Sequence, residues 1–148
     1  MKNFLKLKPI YRIVGIIAFV AVIGFSVIAC DMGMGGGGLD GDWRAPSAGY
    51  VIRIRGSSGV YRQWDSNLNS LYRSAVDRGY VKIGDEDLRN LTQTGNNTWS
   101  GQTKLISYNS YGATGTAWGN CTITLSSDGR SFQLYYSSSS GSLTYNRL

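Results

Sequence analysis

Short segments of alternating apolar and polar residues run along the chain from residue 39 to its end. Ile52 and Ile54, for example, alternate with Arg53 and Arg55. Alternation with a period of two predicts β-strands that bury one face. Further segments predicted as strands are 60–64, 80–83, 88–92, 99–108, 121–125, 132–136 and 143–145, separated by clusters of Gly, Ser, Asn and Asp. The pattern predicts an antiparallel all-β domain of roughly eight or nine strands.

One segment breaks this alternation with apolar residues at helical spacing. Its apolar stripe consists of Leu68, Leu71, Tyr72, Ala75 and Val76. The spacing predicts a helix of about three turns. Asp65 or Ser66 is a suitable N-cap, and Gly79 fits the position just past the helix end. We expect the helix to plug one mouth or edge of the sheet, and the alternative is a lid over a ligand cavity.

The two ends of the domain bear on how the sheet closes. Gly41-Asp42-Trp43 begins the first strand, and Arg147 ends the last one. This resembles the lipocalin-like (calycin) β-barrels, in which Gly-x-Trp opens the first strand and a late Arg packs across the Trp ring. The resemblance implies an up-and-down antiparallel barrel of about eight strands, with Trp43 closing its floor and Arg147 over it in a cation–π contact. A two-sheet β-sandwich is the alternative.

The first thirty residues have the organisation of an export signal. A basic segment, residues 1–12, precedes an uncharged run over residues 13–29. Val27-Ile28-Ala29-Cys30 resembles the lipobox of bacterial lipoproteins. The resemblance implies that a lipid is attached to the Cys30 thiol and that a peptidase, which needs the small Ala29, cuts before it. The alternative is an uncleaved membrane anchor.

Together, the predicted export signal and the predicted barrel divide the chain into three parts. Residues 1–29 are the predicted lipoprotein signal peptide, residues 30–38 the lipidated Cys and a flexible Gly-rich tether, and residues 39–148 the lipocalin-like barrel. The membrane, contacted through the lipid anchor, is the first expected partner. We expect the protein on the cell membrane or outer membrane, with its folded domain outside the cytoplasm. Cys121 then has no disulfide partner in its own chain.

Charge and composition exclude several classes of function. The chain has 15 Lys+Arg and 9 Asp+Glu, but four of the basic residues precede residue 30, which leaves 11 basic against 9 acidic residues. This balance does not indicate a nucleic-acid-binding domain. The chain has no His, so His-based acid–base catalysis, His-containing triads and common zinc sites are excluded. We expect no cofactor and no metal.

Few residues in the domain suggest catalysis. Asp85, Glu86 and Asp87 are consecutive, and we interpret them as solvated charges at a turn after Gly84 rather than as a carboxylate pair. Cys121 lies on the same predicted strand face as Ile123 and Leu125, which predicts a buried, inert thiol. We predict no catalytic residue and a protein that is not an enzyme.

The composition favours a binding function over a catalytic one. The domain is rich in Tyr, Trp, Ser, Gly and Asn, which suits recognition surfaces. The leading hypothesis is a lipid-anchored barrel that binds a small apolar or amphipathic ligand. One alternative is a protein-interaction module, such as a surface adhesin or a hydrolase inhibitor, acting through loops such as residues 109–112. Another is a structural envelope lipoprotein without a ligand.

Overall fold

The computed structural model describes residues 38–138 and 140–148. Within them, eight antiparallel strands form a closed barrel in which neighbours in sequence are neighbours in the sheet. The elements are β1 Gly41–Ala45, β2 Tyr50–Arg55, β3 Ser58–Trp64, α1 Ser70–Asp77, β4 Glu86–Gly95, β5 Thr98–Asn109, β6 Gly112–Leu125, β7 Ser131–Tyr136 and β8 Ser142–Arg147. The predicted up-and-down barrel is confirmed. The alternative of a sandwich is wrong, because β1 also pairs with β8.

The barrel has two distinct ends. The first, which we call the N-terminal end, contains Gly38 and the β2–β3, β4–β5 and β6–β7 turns. At this end the Gly56 amide donates to Asp40 Oδ1 over 2.8 Å. At the second, the helix end, lie α1 and the β1–β2, β5–β6 and β7–β8 turns. The positions of the ends matter because the chain enters the described domain at the N-terminal end.

The backbone ladders between neighbouring strands, which we call the seams of the barrel, differ in length. β5 and β6 pair along their whole length, from Thr98 to Asn109. β1 and β8 share only the register pairs Trp43↔Arg147 and Arg44↔Asn146. The ladder between β3 and β4 is equally short and changes register between its two pairs. Closure therefore depends on side-chain contacts across the short seams as well as on the ladders.

The core follows the alternation read from the sequence. Tyr50, Ile52 and Ile54 are buried and Arg55, the last residue of β2, is exposed, although Val51 departs from the alternation and is buried too. The expected burial of Cys121 together with its neighbours on the same face is confirmed. Aromatic rings fill the interior towards the N-terminal end, where Trp43 and Tyr145 both pack against Phe132 with centroids 4.8 and 4.5 Å apart.

The helix is shorter and begins later than its apolar stripe predicts. Asn69, not Asp65 or Ser66, is the N-cap, and its side chain accepts from the Leu71 amide over 2.9 Å. Segment 65–69 instead binds the β1–β2 turn, because the Asn69 amide donates to Ala48 O and the Asp65 amide to Gly49 O. These backbone bonds hold the chain outside helical geometry until residue 70.

Two details of the stripe are corrected. Leu68 is buried but precedes α1, and Leu71 is 49% exposed, so it does not belong to the buried face. Gly79 lies just past the helix with φ of 74°, as the sequence predicts. Residues 80–83, predicted as a strand, are irregular. Only Val81 of that segment is buried, so a single inward side chain, not a ladder, anchors it.

Candidate functional site

A carboxylate lies in the barrel interior, where sequence reasoning expects a solvated one. Asp87 is 0% exposed. Tyr61 donates its hydroxyl hydrogen to Asp87 Oδ1 over 2.6 Å, and Tyr145 donates to Asp87 Oδ2 over 3.3 Å. The interpretation of all three consecutive acids as solvated charge is therefore wrong for Asp87. The register shift between β3 and β4 lies beside it, and the strand turns this side chain inward while Glu86 stays exposed.

The hydrogen bonds continue from Asp87 to two further tyrosines. The hydroxyl oxygens of Tyr50 and Tyr145 are 2.8 Å apart, and those of Tyr50 and Tyr72 are 3.3 Å apart. We call Tyr50, Tyr61, Tyr72, Tyr145 and Asp87 the tyrosine–aspartate cluster. It joins α1 to β2, β3, β4 and β8, so a polar network connects the helix with the barrel wall.

Burial controls the protonation of the cluster. It raises the pKa of Asp87 from 3.8 to about 6, although the hydrogen bonds from Tyr61 and Tyr145 and the nearby charge of Lys104 oppose the increase. Burial also raises the pKa of Tyr50, Tyr61 and Tyr145 well above the ordinary 10. At neutral pH the tyrosines are therefore neutral phenols, which act as hydrogen-bond donors and acceptors rather than as nucleophilic phenolates.

Seven half-buried apolar and aromatic side chains, one of them the cluster residue Tyr72, belong to the helix end of the barrel. They are Trp64, Tyr72, Val76, Ile106, Tyr108, Tyr136 and Leu143, each packed against the core. We call this set the aromatic mouth. All seven come from strand segments or α1 residues at the helix end. The core is thus closed at the N-terminal end and bordered by partly exposed apolar surface at the other.

One polar atom in the aromatic mouth is unsatisfied. The Tyr108 hydroxyl is buried and has no hydrogen-bond partner among the described residues. Its burial raises the pKa of Tyr108 to about 12. Leaving such a group unpaired costs about 1–3 kcal/mol. An external hydrogen-bonding partner at this position would remove that cost.

The helix is fixed to the β5–β6 hairpin beside the mouth. Ser74 Oγ accepts from the Ala113 amide over 3.0 Å, and Arg78 donates to the carbonyl oxygens of Ala113 and Tyr111. Ala75 is fully buried, whereas Tyr72 and Val76 are only partly so. The helix covers part of the helix end, and its inward face forms one side of the mouth.

The Trp43–Arg147 pair lies at the opposite end of the barrel. Arg147 Cζ is 4.2 Å from the centroid of the Trp43 ring, the contact that the lipocalin resemblance implies. The Trp43 indole N–H donates to Leu39 O over 2.7 Å, and Arg147 donates to Asp40 O and Gly129 O. These contacts strengthen the short β1–β8 seam, far from the mouth.

The Cys121 thiol lies in the barrel core. Burial, with a smaller contribution from the charge of Asp87, raises the pKa of the Cys121 thiol to about 12, which keeps it protonated.

Across residues 38–138 and 140–148, no three potential metal-ligating side chains are grouped, and no helix has the length and hydropathy needed to cross a bilayer. The lipobox residues Val27, Ile28, Ala29 and Cys30 lie outside the described residues.

Sequence reasoning missed the tyrosine–aspartate cluster and Tyr108. The alternation around Ile52 gives Tyr50 an inward position, and that of Leu143 and Tyr145 in β8 does the same for Tyr145. For Asp87 no local signal exists, because its partners Tyr61 and Tyr145 are 26 and 58 positions away in the sequence.

Comparisons with protein-family models, with curated proteins and with solved structures find no match to this chain.

Proposed function

We propose that this protein is a lipid-anchored, non-enzymatic protein of the cell envelope whose lipocalin-like barrel binds a small amphipathic ligand at the aromatic mouth. The observation that carries the proposal is the buried Tyr108 hydroxyl without a hydrogen-bond partner among the described residues. A ligand with an apolar body and one hydrogen-bonding group would cover the half-buried rings and supply the missing partner.

The filling of the interior limits the size of the ligand. Trp43, Tyr61, Phe132 and Tyr145 are all below 2% exposed, and their rings occupy the barrel below the mouth. A deep, lipocalin-type calyx is therefore not part of the proposal. The ligand would lie across the mouth, in contact with Tyr72 and Tyr108, rather than inside the barrel.

The sequence of the N-terminal segment supports the anchoring half of the proposal. The run 13–29 ends in a lipobox-like tetrapeptide before Cys30. The described chain begins at Gly38, at the N-terminal end, and the aromatic mouth lies at the helix end. An anchored barrel would thus carry its mouth at the end farther from the point of attachment, where a ligand can reach it.

Binding at the mouth can be tested with a polarity-sensitive naphthylamine probe and the soluble chain 38–148. We expect saturable probe fluorescence that Tyr108→Phe weakens about fivefold, because one hydrogen bond is worth roughly 1 kcal/mol. Tyr111→Phe is the matched control, since Tyr111 is 82% exposed at the neighbouring turn and should bind the probe like wild type. Absence of saturable binding, or equal losses in both variants, would contradict the proposal.

Anchoring is tested separately in cells. Radiolabelled palmitate should enter the wild-type protein and not the Cys30→Ser variant. Equal labelling of both proteins, or of neither, would contradict lipidation at Cys30 without bearing on the mouth.

A second candidate function is a protein-interaction module, and Tyr111 favours it. Its side chain is 82% exposed, while Arg78 holds its carbonyl oxygen and so fixes the turn. A rigidly presented tyrosine is a common anchor in protein interfaces. A photo-crosslinking residue at position 111 should capture one defined envelope or host protein, and a capture pattern identical to that of the same residue at Thr94 would count against this candidate.

A further inference from the structure

Three arginines line a depression on the outer surface of β2 and β3. The depression has a volume of about 270 Å³ and is lined by Arg53, Arg55, Ser58, Val60 and Arg62. We call it the basic groove. Its volume is near the lower limit of small-molecule sites, roughly 300 Å³, which suits one compact anionic group rather than a large ligand.

Arg53 is held in a fixed orientation. Its Nε and Nη2 atoms donate to the two carboxylate oxygens of Asp42 over 2.7 and 2.6 Å. This bidentate pair is one-third exposed on both sides. The Arg53 guanidinium therefore has a defined position at the groove and retains N–H groups that point away from Asp42.

The side chains of Arg55 and Arg62 supply charge that no ion pair neutralises. Neither side chain forms a salt bridge or a hydrogen bond with a described residue. Both are close enough to Asp42 to help lower the pKa of that carboxyl. Glu86, in register with Val60, is the acid on the adjoining strand. Asp42 pairs with Arg53, so the groove keeps two guanidinium groups that form no ion pair, and Glu86 lowers but does not cancel their combined charge.

The position of the groove relative to the chain's entry indicates where its ligand comes from. Arg55 ends β2 at the N-terminal end, and the next residue, Gly56, donates its amide to Asp40 Oδ1. Cys30 precedes Gly38 by only eight residues, and eight extended residues span at most about 29 Å. A lipid on Cys30 would therefore hold this end of the barrel close to the membrane surface.

We propose that the basic groove binds the phosphate of an anionic phospholipid headgroup in the membrane that carries the anchor. The planar, multidentate guanidinium groups match phosphate oxygens, and Ser58 adds a hydroxyl donor at the groove wall. Headgroup binding would orient the barrel on the bilayer, with the aromatic mouth directed away from it. This inference rests on the proposed anchoring but not on ligand binding at the mouth.

The test uses the full chain in neutral maltoside micelles, observed by NMR at the arginine Nε–H groups and the Ser58 and Val60 amides. Phosphatidylglycerol is added in one arm, phosphatidylcholine in a second and inorganic phosphate in a third. We expect saturable shifts at Arg55 and Arg62 with phosphatidylglycerol, and much weaker ones with the other two. Because surface charges are screened by salt, 0.5 M NaCl should largely abolish the shifts.

Paired variants assign the effect to the groove. Arg55→Gln with Arg62→Gln should weaken phosphatidylglycerol binding, followed at the Ser58 amide, at least about tenfold, since two charge-assisted contacts are lost. Arg73→Gln with Arg130→Gln removes the same charge from exposed positions outside β2 and β3 and should change binding less than about twofold, because neither residue lines the groove.

Three results would overturn the inference. The first is no saturable shift in any arm. The second is an equal response to inorganic phosphate, which would identify a soluble anion as the ligand. The third is an equal loss in both variant pairs, which would reduce the effect to net charge. Because headgroup binding in micelles needs no acyl chain on Cys30, these outcomes are distinguishable from failed palmitate labelling.

Discussion

The buried carboxylate of Asp87 makes the stability of this barrel depend on pH in an unusual direction. The pKa of Asp87 is raised from 3.8 to about 6 in the folded protein by burial. The folded state therefore holds a proton on Asp87 more tightly than the unfolded chain does. As a result, this residue's contribution to the free energy of unfolding is greatest below about pH 4 and decreases as the pH rises through 6.

The size of the effect follows from the difference between the two pKa values. A difference of about 2 in pKa corresponds to about 3 kcal/mol, at 1.36 kcal/mol for each unit. Asp87→Asn has nearly the same shape and no titrating proton. The free energy of unfolding of wild type minus that of Asp87→Asn should therefore fall by about 2.5 kcal/mol between roughly pH 4 and pH 7, because the remainder of the change lies below pH 4.

The measurement is urea unfolding at half-unit pH intervals, followed by tryptophan fluorescence. Taking the difference between wild type and variant cancels the titration of the other acids. Asp42→Asn provides a comparison of opposite sign, because the hydrogen bond from Arg53 lowers the pKa of Asp42. For that pair the difference should rise with pH. Parallel curves for wild type and Asp87→Asn from pH 4 to 7 would refute the placement of Asp87 in the barrel interior.

Three further predictions concern the fold. Gly49→Ala should lower the free energy of unfolding in urea by about 3 kcal/mol or more. Gly49 has φ of +78°, and a Cβ there would lie 2.6 Å from a backbone atom. The control Gly129→Ala should cost only about 1 kcal/mol, because Gly129 has φ of +67° but no atom near the added Cβ. Equal losses would contradict the close approach. Arg147→Ala should cost about 2 kcal/mol through the lost Trp43 contact and hydrogen bonds, and an unchanged urea midpoint would contradict that role. Cys121 should resist iodoacetamide in the native protein and react once it is unfolded; native alkylation at the unfolded rate would contradict its burial.

Much of the barrel could be predicted because its strands have a period of two. Cys121 and Ile123, for instance, are buried where the alternation places them. The start of β6 at Gly112 could not be predicted in this way, since the Gly, Ala and Thr residues that follow show no regular apolar alternation. Pairing with β5, not local pattern, makes that segment a strand.

The errors concern positions where tertiary contacts override local pattern. The Asn69 cap lies where the chain stops bonding to the β1–β2 turn, which no spacing of apolar residues reveals. Asp87 follows a turn and two other acids, and this local context is typical of solvated charge. Its burial depends on Tyr61 and Tyr145, which only the closed barrel brings together.

The short β1–β8 ladder would have a mechanical consequence if the barrel is anchored through its N-terminal segment as proposed. Tension along the incoming chain would act on the segment just before β1, and two register pairs alone would offer little resistance to peeling. Arg147, however, donates to the carbonyl oxygens of Gly38 and Asp40 and also to that of Gly129. The Arg147 side chain therefore transmits part of a pulling force to the β6–β7 turn, which reduces the load on the β1–β8 backbone hydrogen bonds.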